Sequence, residues 1–564
     1  MKKAIFRSTQ LLVPIALVMW FAASAQAAAP GITTTAPTGF QLVAAAEYLN
    51  QPDGQAIYSW GYGCKSGFSP TFLPLSIAAP PGGCPTMQVP GPTLIVTEGQ
   101  TVTVTLTNAL PTAAGNTSIL FPGFQVNATG GVTGLLTQEA APGGSVTYTF
   151  TATAPGTHPY YSGTQGDLQV EMGLYGAVIV LPTGGGPTAC NGTNTNLFGK
   201  SDYGSTHGIP GFPEQDFRLA HAAYDHVKSC YDREYLFQWA TMDSRIHQQA
   251  LAQVTSTNAS GVCLTAGNPA CSLNVQTEPY HPGYFVINGR SMPDLMDPNY
   301  AAEYPHQPYN GNPHIHPGEL LLIRTIGQGR WQHPFHEHAN HVRILARDGN
   351  LILSPTAPAT NLAGTLMFNT DTTPGQAFDG IFYFTGRGLN WDPYGHHPAA
   401  AANPSANNKN PFPTDANASL PCVPDANGYN TLGTSNTALN YYEWCQDHNK
   451  PVQANPFGDV AAGGPATLPD PNIFTNGAWY GGTPYLGPDA SLRATMAACD
   501  TTTNAGCTTL LPSNTQANPA NERGWAFMWH SHNEREITTN NVFPGGMLMM
   551  LLVDSREFPI DESL

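Results

Sequence analysis

The sequence predicts an all-β protein made of two Greek-key β-sandwiches, with a long loop-rich insertion in the second. Three observations carry that expectation. Gly 58 and Pro 51 among 564 residues, with charged residues at only 10%, describe many short strands joined by turns. Val, Thr, Ile and Leu recur at period two against polar residues, the spacing of half-buried strands. The same strand-and-turn grammar occurs twice along the chain, which its length also favours.

The chain opens with Lys2 and Lys3, the apolar run "LLVPIALVMWFAA" and then "AQA" ending at Ala27. This reads as an export signal over residues 1–27. The run falls short of the ~20 apolar residues that a spanning helix needs, so no membrane span is expected in the mature chain. The first domain is placed at 40–183. Within it "TLIVTEGQTVTVTLTNAL" reads as a hairpin around Glu-Gly-Gln, "GGSVTYTFTATAPGTHPYY" repeats the device, and "GLYGAVIVLP" closes the block as a buried strand. Residues 184–225, beginning with "GGGPTACNGTNT", read as a linker.

The second domain is placed at 226–560 on the strands in "REYLFQWATMDSRI", "YFVINGRSMPDL", "GELLLIRTIGQG", "HVRILARDGNLIL", "GTLMFNTDTTPGQAFDGIFYFTG", "GWAFMWHSH" and "GGMLMMLLV". Between 388 and 523 the strand period fails and Pro, Asn, Gly and Ala dominate, so this stretch reads as an insertion. The 10 cysteines fall in neighbouring pairs, none as CxxC. An even count in an exported chain predicts disulfides of open connectivity and an oxidising location, periplasm or cell exterior. A net charge of −17 with only 21 Lys and Arg argues against nucleic acid and anionic membrane surfaces as partners.

Of 18 histidines, two groups have ligand spacing: "HPFHEHANH" and "WHSH". Alternate strand residues face one way, so His336 with His338 and His530 with His532 each form a two-imidazole face. If the strands are neighbours, four imidazoles meet around one or two ions, a nitrogen-rich set suited to copper, zinc or iron. The same parity turns His333, Ser531 and Glu337 to the opposite face. Glu534 is then the nearer candidate for an outer-shell partner, and Met547 reads as core. "PHIHPGE", with His314 and His316, reads as an ordinary strand entry.

At these residues the sequence resembles the multicopper oxidase family of laccase-like cupredoxin proteins. "VPGPTLIVTEGQTVTVTLTN" and "GLYGAVIV" are similar to its first domain, "HPFHEH" to its His-Pro-x-His-x-His motif, and "HSH" followed by "GGM" to its His-Cys-His and Gly-Met ending. The resemblance implies two cupredoxin-like sandwiches, a blue copper that accepts electrons and a trinuclear cluster that reduces oxygen. Carried over by position, His336, His338, His530 and His532 are half of the cluster ligands, and His333 and Met547 are two ligands of the blue copper. The remainder departs from the family pattern. Leu120 and Pro122 stand for the His-Trp-His pair, Tyr161 and Gly163 for the His-Ser-His pair, Ser531 for the thiolate and Glu536 for the second blue-copper histidine.

The expectation is therefore an exported copper-binding oxidoreductase with a reduced, His-only site of one or two copper ions and no type 1 blue copper. A non-catalytic metal-binding or metal-delivery protein is the alternative. The donor expected for the first reading is a small molecule or a metal ion. A homo-oligomer is expected in the case where another subunit completes the face that the first domain has vacated.

Overall fold

The computed structural model describes residues 28–384 except 35–38, 191–207, 210–211, 214–215, 256–272, 317–318 and 357–360, and then 482–484, 524–554 and 560. The export signal over 1–27, nearly all of the 388–523 insertion, and Cys263, Cys271, Cys422, Cys445, Cys499 and Cys507 lie outside the described residues. The other four cysteines pair as neighbours, Cys64 with Cys84 and Cys190 with Cys230.

The first sandwich follows from strict alternation. Thr101–Asn108 turns Val102, Val104 and Leu106 inward, while its threonines stay partly exposed. It pairs parallel with Phe40–Asn50 and antiparallel with Ser145–Thr151. The facing sheet runs Gly156–Tyr161, Tyr175–Leu181, Leu94–Thr97. Here the expected hairpin is corrected, because Leu94–Thr97 and Thr101–Asn108 belong to different sheets. Leu94, Ile95 and Val96 are consecutively buried, the mark of a strand covered on both faces. The turn through Gly99, at φ +79°, hands the chain across the core instead of folding it back in one sheet. Ser145–Thr151 and Gly156–Tyr161 are likewise split between the sheets.

The second sandwich repeats this pairing scheme. Arg233–Met242, buried at every position, pairs parallel with Leu320–Gly327, which pairs antiparallel with Ala377–Tyr383. Gly524–Ser531 pairs antiparallel with Leu548–Asp554, which pairs parallel with His314–Ile315. The fold is all-β and cupredoxin-like in both halves. One further strand, His333–Glu337, lies between Gly524–Ser531 and Asn369–Thr372. Beneath it, Phe335 contacts Trp239 at 4.7 Å and Trp529 at 5.8 Å between ring centroids. Each fully buried ring contributes on the order of 1.5–3 kcal/mol, which holds this sheet rigidly on its core.

The sequence reading did not anticipate the helix Ser244–Thr255. Its Ile246, Ala250 and Val254 recur four apart and pack into the core of the first sandwich. The Asp243 carboxylate starts it by accepting from the Arg245 N–H at 3.0 Å. A second tie between the halves is the buried Arg324, which donates to Glu234 at 2.9 Å and to Thr157 Oγ1 at 3.1 Å. Thr157 in turn donates to Asp379 at 2.7 Å. No described helix is long and apolar enough to cross a membrane.

Candidate metal centre

Antiparallel pairing places His336 directly opposite His530. The ring of His336 lies 4.7 Å from that of His338, 5.4 Å from that of His530 and 4.9 Å from that of His532. One nitrogen each from His336, His338 and His530 lies within 4.8 Å of the other two. His338 Nε2 and His530 Nε2 are 3.2 Å apart. Two imidazoles bound to one ion by bonds of about 2.0 Å adopt that spacing. His530 Nδ1 faces the Ser531 carbonyl at 2.7 Å and therefore carries the hydrogen, which leaves Nε2 of the neutral ring as a lone pair. The Trp529 indole donates to the His338 carbonyl at 3.0 Å and fixes the end of the strand. His336 Nδ1 is buried and has no hydrogen-bond partner.

His336 and His530 are held neutral. Burial, then the neighbouring His530, pushes His336 down to about 4, and burial also lowers His530, with His532 adding to the effect. Neutral imidazoles with convergent lone pairs are what a transition-metal ion requires. His532 is 52% exposed at its side chain and lies 3.5 Å from Glu534, so it forms the rim of the cluster. Phe368, itself exposed, sets its edge against both His336 and His341. That aromatic wall was not legible in the sequence, since Phe368 comes from a strand end with no ligand spacing.

The opposite face of the same two strands is closed. His333, Ser531 and Glu536 have no exposure. Glu536 Oε2 lies 2.9 Å from His333 Nδ1 and accepts the Ser531 hydroxyl at 2.5 Å, while Oε1 accepts from Asn533 Nδ2 at 3.0 Å. Glu337 also lies on this face, bonded by the Thr370 hydroxyl at 2.8 Å, and burial raises its carboxyl well above the usual range. His333 thus sits apart from the imidazole cluster, bound to a carboxylate. Met547 is fully buried in the aromatic core. A Ser531→Cys variant loaded with Cu(II) is expected to show no intense blue absorption in its visible spectrum. The Glu536 carboxylate beside residue 531 disfavours a thiolate there, and His333 is the one imidazole among the described residues of that face.

The pairing scheme gives each of these positions a counterpart in the first sandwich. Leu120 bridges Tyr161 as His336 opposes His530, and Tyr161 pairs with Tyr175 as His530 pairs with Leu548. Leu120 and Tyr161 therefore occupy the places of His336 and His530. A Cβ built on Gly163 would meet the Leu120 side chain at 2.7 Å, so leucine fills the space where a ligand after Tyr161 would stand. Around it are hydroxyls and amides: Ser162 donates to Gln169 at 2.6 Å, Thr117 donates to Gln169 at 2.9 Å, and Ser118 lies 2.8 Å from Thr164. Where the second sandwich carries imidazoles, the first carries packed side chains. His314 and His316 are buried, and His314–Ile315 lies in the same sheet as the cluster, separated from Gly524–Ser531 by Leu548–Asp554.

Residues 86–184 match the family model described as multicopper oxidase. Over 98 residues the chain is 38% identical to the laccase abr2 of Aspergillus fumigatus, an alignment covering 17% of this chain and 16% of that protein. Over 98 residues it is 36% identical to the L-ascorbate oxidase of Brassica rapa subsp. pekinensis, covering 16% of this chain and 16% of that protein. The matched stretch is thus a small part of either relative. Among solved structures, the blue copper oxidase from Nitrosomonas europaea aligns over 91% of this chain and 85% of its own, at 14% identity and a TM-score of 0.39.

Proposed function

We propose, from the match of residues 86–184 to the multicopper oxidase model, an exported copper-binding oxidoreductase with a His-only site and no blue copper. The observation that carries this reading is the convergence of His336, His338 and His530 within 4.8 Å. The family's cofactor is copper, and the donor set fits it: neutral imidazoles, an unpartnered buried Nδ1 on His336, and two Nε2 atoms at ligand spacing. Three nitrogens this close enclose one ion, since paired ions need about 3.5–4 Å between them. Copper held by these imidazoles would supply one-electron chemistry to a bound donor.

The chain's own residues do the rest. The Ser531 carbonyl holds His530 in one tautomer, and the buried aromatic rings beneath the strand keep water from its inner side. The exposed edge at His532 and Glu534 admits a small-molecule or metal-ion donor. Metal analysis of the purified protein, with EPR and visible spectra, is expected to give about one copper per chain in a tetragonal nitrogen field, without a thiolate band. Protein that takes up no copper would remove the reading. The accessible rim at His532 favours a second reading, copper delivery to a partner. Donor-dependent oxygen uptake by the copper-loaded protein separates turnover from delivery.

A further inference from the structure

Away from the histidine cluster, buried ionisable groups meet where the two sandwiches join. Glu171 belongs to the first sandwich and is 3% exposed. Its Oε1 accepts from the Asp243 N–H at 2.7 Å and its Oε2 accepts from the Tyr280 hydroxyl at 2.7 Å, both from the second half. Thr241 Oγ1 lies 2.7 Å from the same hydroxyl. His247, on the helix Ser244–Thr255, places Nε2 3.8 Å from Glu171 Oε1. Its Nδ1 faces the Tyr58 carbonyl at 2.6 Å, so the hydrogen of the neutral ring sits on Nδ1. His247 Nε2 is left buried without a hydrogen-bond partner. The other ionisable groups facing the carboxyl are Asp243, Arg330 and Tyr175. Asp243 is itself engaged by the Arg245 guanidinium and the His281 N–H.

We propose that Glu171 and His247 share one proton at the joint between the sandwiches, and that losing it or adding a second loosens the joint. A bare carboxylate against an imidazole lone pair leaves two buried acceptors facing each other. One proton on the pair removes that repulsion, as a neutral carboxyl beside a neutral ring or as an imidazolium 3.8 Å from the carboxylate. A second proton puts an uncompensated cation in the same place.

Burial, as the largest cause, pushes Glu171 up from 4.5 to about 8 and pushes His247 down from 6.5 to about 4. For the carboxyl, the opened joint releases its proton above 4.5 while the closed joint keeps it to about 8, so closure weakens as pH rises through that window. For the imidazole, the opened joint gains a proton below 6.5 that the closed joint refuses until about 4, so closure weakens as pH falls. The two slopes cancel between 4.5 and 6.5. Above that plateau the opening constant climbs by up to about tenfold per pH unit, until Glu171 ionises in the closed form.

The joint is continuous with the histidine strand. Trp331 packs edge-on against Tyr280 at 5.6 Å and touches both sandwich cores, and Arg330 covers the Tyr280 ring at 4.5 Å. Two residues further on, His333 begins the strand that carries His336.

Amide hydrogen exchange of the full chain tests this, with rates corrected for intrinsic exchange and followed in peptides around Asp243 and Tyr280 from about pH 4 to 9. The wild type is expected to show a plateau and then a rise in opening of up to about thirtyfold between 6.5 and 8. Glu171→Gln, neutral and isosteric, should abolish that rise. His247→Gln should abolish the rise on the acid side and replace the plateau with a climb that starts near 4.5 and runs into the alkaline rise. A wild-type profile flat from 6.5 to 8, or a Glu171→Gln profile as steep as the wild type's, overturns the proposal. Should Glu171→Gln not fold, an acid-side rise that persists in His247→Gln overturns it instead.

Discussion

His530→Ala is expected to cost the protein its metal, with copper affinity lower by on the order of a hundredfold or more, beyond what outer-shell changes usually do. His530 is the most enclosed of the three convergent rings, and its Nε2 is the atom 3.2 Å from His338 Nε2. Alanine removes a ligand whose tautomer the Ser531 carbonyl has already set, so the loss includes that preorganisation. The two remaining rings form an incomplete set open to water. His333→Ala is the matched control, because its ring lies on the reverse face against Glu536. Competition with a calibrated chelator measures both. Equal affinity in His530→Ala and wild type would place the copper somewhere else. A loss in His333→Ala as large as in His530→Ala would mean that the two faces are not independent.

That independence was partly legible in the text of the chain. Strand parity in "HPFHEH" and "WHSH" separates His336, His338, His530 and His532 from His333, Ser531 and Glu337, and the pairing of His336 with His530 completes the face. Parity carries no information about what happens after a strand ends. Glu536 is reached through the short turn Glu534–Ile537, capped by the Asn533 side chain, and only that turn brings its carboxylate back under Ser531. Glu534, the carboxylate nearer in sequence, stays at the exposed rim with His532. The hairpin expected around Glu98 and the helix after Asp243 failed for a related reason. Local pattern reports how a segment is buried, but which sheet or core covers it is decided by contacts far away in sequence. The replacement of ligands by Leu120 and Gly163 was readable as a loss. That leucine fills the space over the glycine is a matter of packing, and no spacing rule contains it.

The same network makes Glu536 the side chain of the second sandwich whose truncation should be felt most. Glu536→Ala leaves His333 Nδ1 and the Ser531 hydroxyl without their shared acceptor at positions closed to water, removes the acceptor of the exposed Asn533 side chain, and leaves a void beside them. Breaking a buried pair in this way costs about 3–5 kcal/mol. Glu536→Gln keeps the shape and one acceptor oxygen, so the expected cost is about 1–3 kcal/mol, for the bond that its amide hydrogens cannot accept. Urea denaturation followed by tryptophan fluorescence measures both, since Trp239 stacks on His333 and Trp529 lies in the same core. Copper affinity in Glu536→Gln should change far less than in His530→Ala, because the carboxylate touches no ring of the cluster among the described contacts. A variant that kept its stability but lost copper would assign Glu536 to the metal face. A loss of stability with copper binding intact would instead assign the closed face the work of holding the strand, and leave the open face to the ion.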